Sequence, residues 1–222
     1  MYYNSAMKSS RSKTYIAFIL DIVIAVVVAA AVVWMVVAGE GDLTAQGAAA
    51  LKFFTVDSNI LAALAALVCA VCHVRVLRGQ AQALPLWAQV LKLAATGATT
   101  LTFFVVILFL VPVAKAPVVA MYGGSNFVLH LVAPLLAAAA YLLFEQPNRL
   151  GAKQLVWCAL PTLAYEVYYG VNALTHAQGG QVPLAYDWYH FLQGGAQTAI
   201  VIAPLFLLVT FVIAYALNRL AR

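Results

Sequence analysis

Apolar residues run along this chain in long unbroken stretches, not in the alternating or one-faced patterns of a soluble fold. Six such stretches stand out, at about 15–38, 53–74, 93–113, 127–144, 155–174 and 196–217. Each has roughly the 17–25 residues that a helix needs to cross hydrocarbon. Short polar segments separate them, and no internal repeat or linker interrupts the series. The pattern predicts an all-α integral membrane protein, with one six-helix domain filling residues 1–222. The first stretch is too long for a signal peptide and lacks a small-residue cleavage site. Residues 1–10 are polar and are expected to precede the first span.

Composition agrees with the pattern. Of 222 residues, 65% are hydrophobic and 9% charged, with a mean hydropathy of +0.96, whereas a soluble domain carries roughly 25% charged residues. The net charge of +5 could point to nucleic acid. The basic residues, however, sit at the ends of apolar runs, where they act as topology signals. Lys8, Arg11, Lys13, Arg75, Arg78, Lys92, Arg149, Lys153, Arg219 and Arg222 fall on one side, against Lys52 and Lys115 on the other. The asymmetry predicts that both termini face the cytoplasm. The site described next then faces the outer leaflet, most simply of the plasma membrane.

Polar residues inside a membrane are expensive and need a reason. Most gather toward the outer ends of the spans. The second span opens with Thr55, Asp57, Ser58 and Asn59. The fourth opens with Asn126 and His130, which share a face at i and i+4. Both spans run outside to inside, so Thr55 and His130 should lie at depths that agree within ~5 Å. In the fifth span Tyr165, Tyr169, Asn172 and His176 form one stripe, with Glu166 on a neighbouring face. The last outer loop adds Tyr186, Asp187, Tyr189 and His190. The inner half holds mainly Asp21 and His73. A purely structural reading exists for such groups, because hydroxyls and amides bond helix to helix and tyrosines form interfacial belts.

The segments FFTVDSNILAAL and NFVLHLVAP resemble the androgen-induced protein and androgen-dependent TFPI-regulating protein family, with its bacterial relatives. The matching positions are Phe54, Thr55, Ser58, Asn59, Asn126, His130 and Pro134. The resemblance extends over nearly the whole chain in span count and loop size. It implies six helices and an intramembrane threonine hydrolase of fatty acid esters of hydroxy fatty acids, with Thr55 as nucleophile and His130 as base. The last outer loop departs from the family pattern, reading YDWYHFL from Tyr186 to Leu192. That departure loosens the inference about substrate.

The chemistry assigns further expectations. A threonine hydroxyl is a weak nucleophile and needs a base within hydrogen-bond reach. The base needs a group to orient it, and Asp57, Asn126, Glu166 and Asp187 are candidates, Glu166 first. Ser58, Asn59 or a fifth-span tyrosine such as Tyr169 would supply oxyanion donors. Tyr165, Asn172, His176, Tyr186 and His190 would line the substrate mouth, and Lys52 or Lys115 would hold a carboxylate at the surface. The implied partners are the bilayer and an acyl-ester lipid, with no cofactor and no nucleic acid.

The residues leave other readings open. Thr55 alone would serve as a helix cap. His130, His176 and His190 with Glu166 or Asp187 would suit zinc. A small transporter or lipid-binding protein would also bury Asp21, Glu166 and His130. Cys69, Cys72 and His73 match a haem-attachment pattern, but at the cytoplasmic end of an apolar helix, where haem is not attached. With Cys158 they are the three cysteines, none in an outer loop, so no structural disulfide is implied. No G-x-S-x-G segment occurs, which excludes a nucleophile-elbow serine hydrolase.

Overall fold

The computed structural model describes residues 2–38, 47–112, 117–145, 149–192 and 194–221, with side chains from residue 11 onward apart from 196. Lys8, Lys115 and Arg222 therefore fall outside the described side chains. Six principal helices carry the described chain: α1 Tyr2–Ala38, α2 Phe54–Leu77, α3 Leu86–Leu110, α4 Ser125–Leu143, α5 Leu160–Thr175 and α6 Ala199–Leu220. No β-strand occurs among the described residues. Five of the helices, all but α5, are long and apolar enough to cross a membrane. The all-α membrane class read from the sequence is therefore present.

The helix boundaries depart from the sequence pattern in three places. The backbone of α1 is already helical from Tyr2, although its first residues are polar. Helix α3 begins at Leu86, directly after Pro85, so Lys92 lies inside it and is buried. The stretch 155–174 is broken: a short helix Ala152–Trp157 ends before Leu160, where α5 starts with Pro161 in its first turn. Proline suits a first turn because its missing N–H has no partner there to lose. At 16 residues, α5 rises roughly 24 Å, short of the ~30 Å hydrocarbon core.

Proline also explains two wide turns. Val106–Leu110 at the end of α3 and Val128–Val132 within α4 are π-helical. Each is followed two residues later by a proline, Pro112 or Pro134. A proline cannot donate to the carbonyl four residues back, and its ring crowds that carbonyl. A π turn just before it relieves the clash and is a frequent feature of functional sites. The π turn of α4 contains His130.

Helix α1 packs along α2, α2 along α3, and α3 is central, touching α4, α5 and α6 as well. The α2–α3 seam is built from Ala62, Ala65 and Ala95, with Cys69, Cys72 and Ala88 further along. Small side chains let helix backbones approach closely, which is how helices associate in lipid. Val26, Val37, Val71, Ile200 and Val201 face outward, as lipid contact requires. The starts of α2, α4 and α6 and the ends of α1 and α5 meet at one end of the bundle. His73, Lys92 and Glu145 lie at the other.

Candidate functional site

The first turn of α2 is capped from far away. Phe53 is the N-cap residue, and no side chain of the helix itself caps it. Instead the Phe54 N–H donates to the Tyr189 hydroxyl at 2.8 Å, across 135 residues. The Tyr189 hydroxyl also meets the Thr55 hydroxyl. Thr55 is thus not the helix cap that a local reading would make it. Burial pushes the Tyr189 phenol up to about 12, so it stays neutral and able to donate at any working pH.

Thr55 lines an apolar pocket of about 90 Å³ between α2, α3, α5, α6 and the loop before α6. That exceeds the roughly 10–15 Å³ one water needs. Phe54, Thr102, Tyr165, Glu166, Tyr169 and Phe191 are among its other walls. Asp187, fully buried, accepts hydrogen bonds from the Tyr169 hydroxyl and, at 3.0 Å, from the Leu192 N–H. Tyr165 donates to the Lys52 carbonyl at 2.8 Å and accepts from the Trp188 indole at 3.0 Å. Rings of Tyr165, Tyr169 and Tyr189 stand 6.0–6.3 Å apart. Aromatic packing with satisfied hydroxyls holds this loop on α5.

Ser58 and Asn59 do not offer free donors to the pocket. Ser58 Oγ donates to the Thr55 carbonyl at 3.2 Å and lies 3.2 Å from Thr102 Oγ1. Asn59 Nδ2 donates to the Thr55 carbonyl at 2.7 Å and to the Leu129 carbonyl at 2.9 Å. Both side chains therefore knit α2 to its neighbours. Asn59 brings the Thr55 turn level with Leu129, the residue before His130.

His130 is buried and hydrogen-bonds through Nδ1 to the Met121 carbonyl at 2.7 Å. A carbonyl only accepts, so Nδ1 carries the proton and the neutral ring presents Nε2 as its lone pair. Asn126 Nδ2 likewise donates to the Ala120 carbonyl at 3.1 Å. The orienting group of His130 is thus a backbone carbonyl of the turn Val118–Tyr122, not Asp57, Asn126, Glu166 or Asp187. No hydrogen bond joins His130 to Thr55 among the described residues, and His130 is not among the pocket walls.

Other expected site residues separate. Both Glu166 oxygens are buried without a hydrogen-bond partner among the described residues. Asp57 lines a neighbouring groove with Ser58 and Tyr168. His176 is exposed, bonds the Asn172 carbonyl at 2.8 Å and stacks on Tyr186 at 3.6 Å. His190 is exposed in a tight turn at φ 59. Asn172, His176, Tyr186 and His190 do not line the pocket. His130, His176 and His190 do not assemble a metal-ligand group among the described residues.

The sequence reading named Asp21 and His73 in the inner half but not the partners that make a second polar centre of them. Asp21 of α1, His73 of α2, Lys92 of α3 and Glu145 after α4 converge in the interior. Lys92 pairs with Asp21 and lies 3.3 Å from Glu145, while His73 Nε2 is 3.1 Å from Glu145 and 3.5 Å from Asp21. Burial would raise Glu145, but the His73 hydrogen bond and the Lys92 charge outweigh it and hold the carboxyl below its ordinary value. Lys92, expected as a loop charge marking topology, is instead the counterion of two carboxylates. His73 near the end of α2, Lys92 near the start of α3 and Glu145 just past α4 lie toward one side of the bundle, whereas Asp21 sits midway along the long α1. The haem-like spacing is also accounted for: His73 belongs to this cluster, and the three cysteines are buried and free.

Fold and site together define an all-α membrane protein with an aromatic-walled apolar pocket at one end and a buried ion-pair cluster at the other. No protein-family model, curated protein or solved structure matches this chain.

Proposed function

We propose that this chain crosses the membrane six times, with both termini cytoplasmic, and cleaves an acyl-ester lipid at the outer leaflet of the plasma membrane. The observation that carries the reading is the Thr55 hydroxyl on the wall of an apolar pocket. Its helix start is capped by Tyr189, which frees the threonine from that duty. The resemblance through Phe54, Thr55, Ser58, Asn59, Asn126, His130 and Pro134 supports the same chemistry. In this reading α5 and its preceding turn together make the fifth crossing.

Thr55 Oγ1 attacks the ester carbonyl while its proton passes to Nε2 of His130. The alcohol leaves with that proton, and water then releases the acid from the acyl-threonine. Nε2 is the right atom because Met121 holds the proton on Nδ1. The Thr55–His130 contact forms when substrate is bound, as catalytic hydrogen bonds often do. Purified protein in detergent is offered a fatty acid ester of a hydroxy fatty acid. Wild type should turn it over, and Thr55→Ala and His130→Ala should each lose at least about 100-fold. Activity persisting in either variant removes that residue from the mechanism.

One observation favours a second reading. The described partner of the Thr55 hydroxyl is Tyr189, not a base, which suits a lipid-binding protein that does not cleave. Binding of the ester without product, unchanged in Thr55→Ala, would establish that reading instead. The orientation has its own test: an impermeant thiol label on intact cells should reach Val119→Cys and not Ala152→Cys.

A further inference from the structure

We infer that the pocket beside Thr55 takes an amphiphile whose polar group is a cationic amine, paired with the Glu166 carboxylate. The inference rests on the proposed use of this pocket as the lipid site and names the chemistry of what enters it.

Glu166 stands out within its own molecule. Its two oxygens are buried on the pocket wall and make no hydrogen bond among the described residues. A carboxylate in apolar surroundings is costly unless a cation or donors meet it. At the other end of the bundle Lys92 and His73 meet Asp21 and Glu145. At Glu166 nothing described does so. The Lys52 ammonium lies over the rings of Phe53 and Trp188, at 5.3 and 5.2 Å, and neither ring belongs to the pocket wall.

The remaining walls suit a cation. Tyr165, Tyr169, Tyr189 and Phe191 line the pocket with Glu166, and aromatic faces attract ammonium groups, most strongly where water is excluded. Two further carboxylates lie close by. Asp187 lies behind Tyr169, and Asp57 lines the adjoining groove. A free carboxylate in this pocket would meet Glu166 and gain no counterion, so the free acid of a hydroxy fatty acid ester would stay outside it, at the surface. A neutral alcohol would bring one donor and no charge. An amine supplies both charge and donors, and the apolar walls from α3 and α6 receive its chain.

The test uses three probes of equal chain length: dodecylamine, a cation at neutral pH, dodecanol and dodecanoate. Each is titrated by calorimetry into purified full-length protein in neutral detergent at pH 7. Wild type should bind the amine at least ~10-fold tighter than the alcohol, with the carboxylate weakest. Glu166→Gln, which keeps the shape, should lose that preference. Turnover and amine preference are separate readouts, which separates this inference from the hydrolase reading: failed turnover leaves amine binding intact, and failed amine preference leaves turnover intact. Alcohol binding as tightly as amine in wild type would overturn the proposal without any variant. A preference that survives Glu166→Gln would overturn it too. A repeat in phosphatidylglycerol nanodiscs identifies the source of the amine. Competition by added phosphatidylethanolamine points to a lipid headgroup, and no competition points to a free single-chain amine.

Discussion

Asp21 and Glu145 at one end of the bundle and Glu166 at the other carry the same chemical group into similarly apolar surroundings, and only the first two meet cations. Lys92 bridges Asp21 and Glu145, and His73 closes the cluster. Four elements each contribute one member, so the cluster ties α1, α2, α3 and the end of α4 together. Glu166 has no such company among the described residues. It lies on α5, the shortest of the six principal helices and the one preceded by a break. A satisfied buried cluster fixes one arrangement of helices. A buried carboxyl in a pocket wall without such partners adds no hydrogen bond to hold the fold. The comparison teaches that burial of charge is not itself a functional mark in this chain, since the paired carboxylates serve the fold.

The largest expected effect breaks the paired end. Lys92→Met strands two carboxylates in the interior and should destabilise the protein by about 3–5 kcal/mol, read as a fall in thermal unfolding midpoint in detergent or as loss of monodisperse protein. A smaller effect sharpens the assignment. Adding Asp21→Asn to Lys92→Met should recover about 1–3 kcal/mol relative to the additive sum, because the two share one interaction. Strict additivity would mean that the residues do not act as a pair.

Acid should reach the same cluster. Glu145 is held below its ordinary value of 4.5 in the folded protein, so the unfolded chain takes up its proton first as pH falls. The stability it contributes is complete above about 4.5 and is lost as pH drops through the lower folded value. Thermal midpoints measured from pH 6 to pH 3 should fall below that point, and Glu145→Gln should flatten the fall. A fall of equal size in the variant would assign it to other groups.

Much of this architecture was legible because a membrane helix writes its own pattern. Long apolar runs marked α1, α2, α4 and α6 to within a few residues at most ends, since nothing else in hydrocarbon tolerates such runs. The early start of α3 was hidden because Lys92 breaks the run, and a single sequence does not say that Asp21 and Glu145 neutralise it. The break before α5 was written in Pro161 but needed the helix ends to be read. Ser58, Asn59 and Glu166 were singled out because polar groups in spans are costly, and that logic holds. The partners of Ser58 and Asn59 were not legible, since partners depend on helix rotation and not on spacing. Tyr189 was invisible as a cap for the same reason, lying 135 residues from the N–H it meets.

At the pocket end effects should be small. Tyr189→Phe removes the acceptor of the Phe54 N–H and the neighbour of the Thr55 hydroxyl, and should cost about 0.5–1.5 kcal/mol. If Thr55 is the nucleophile, the same variant should shift kcat more than it shifts stability, because the hydroxyl touches the reacting oxygen.

Glu166→Gln should have the least effect on the fold. The carboxyl has no hydrogen bond to lose among the described residues, so the variant should change stability by less than about 1 kcal/mol, in either direction. That contrast with Lys92→Met is the sharpest form of the comparison. A loss of 3 kcal/mol or more in Glu166→Gln would mean that Glu166 is a structural counterion after all. The two ends of the bundle would then be alike, and Glu166 would be a structural group and not a ligand-binding one.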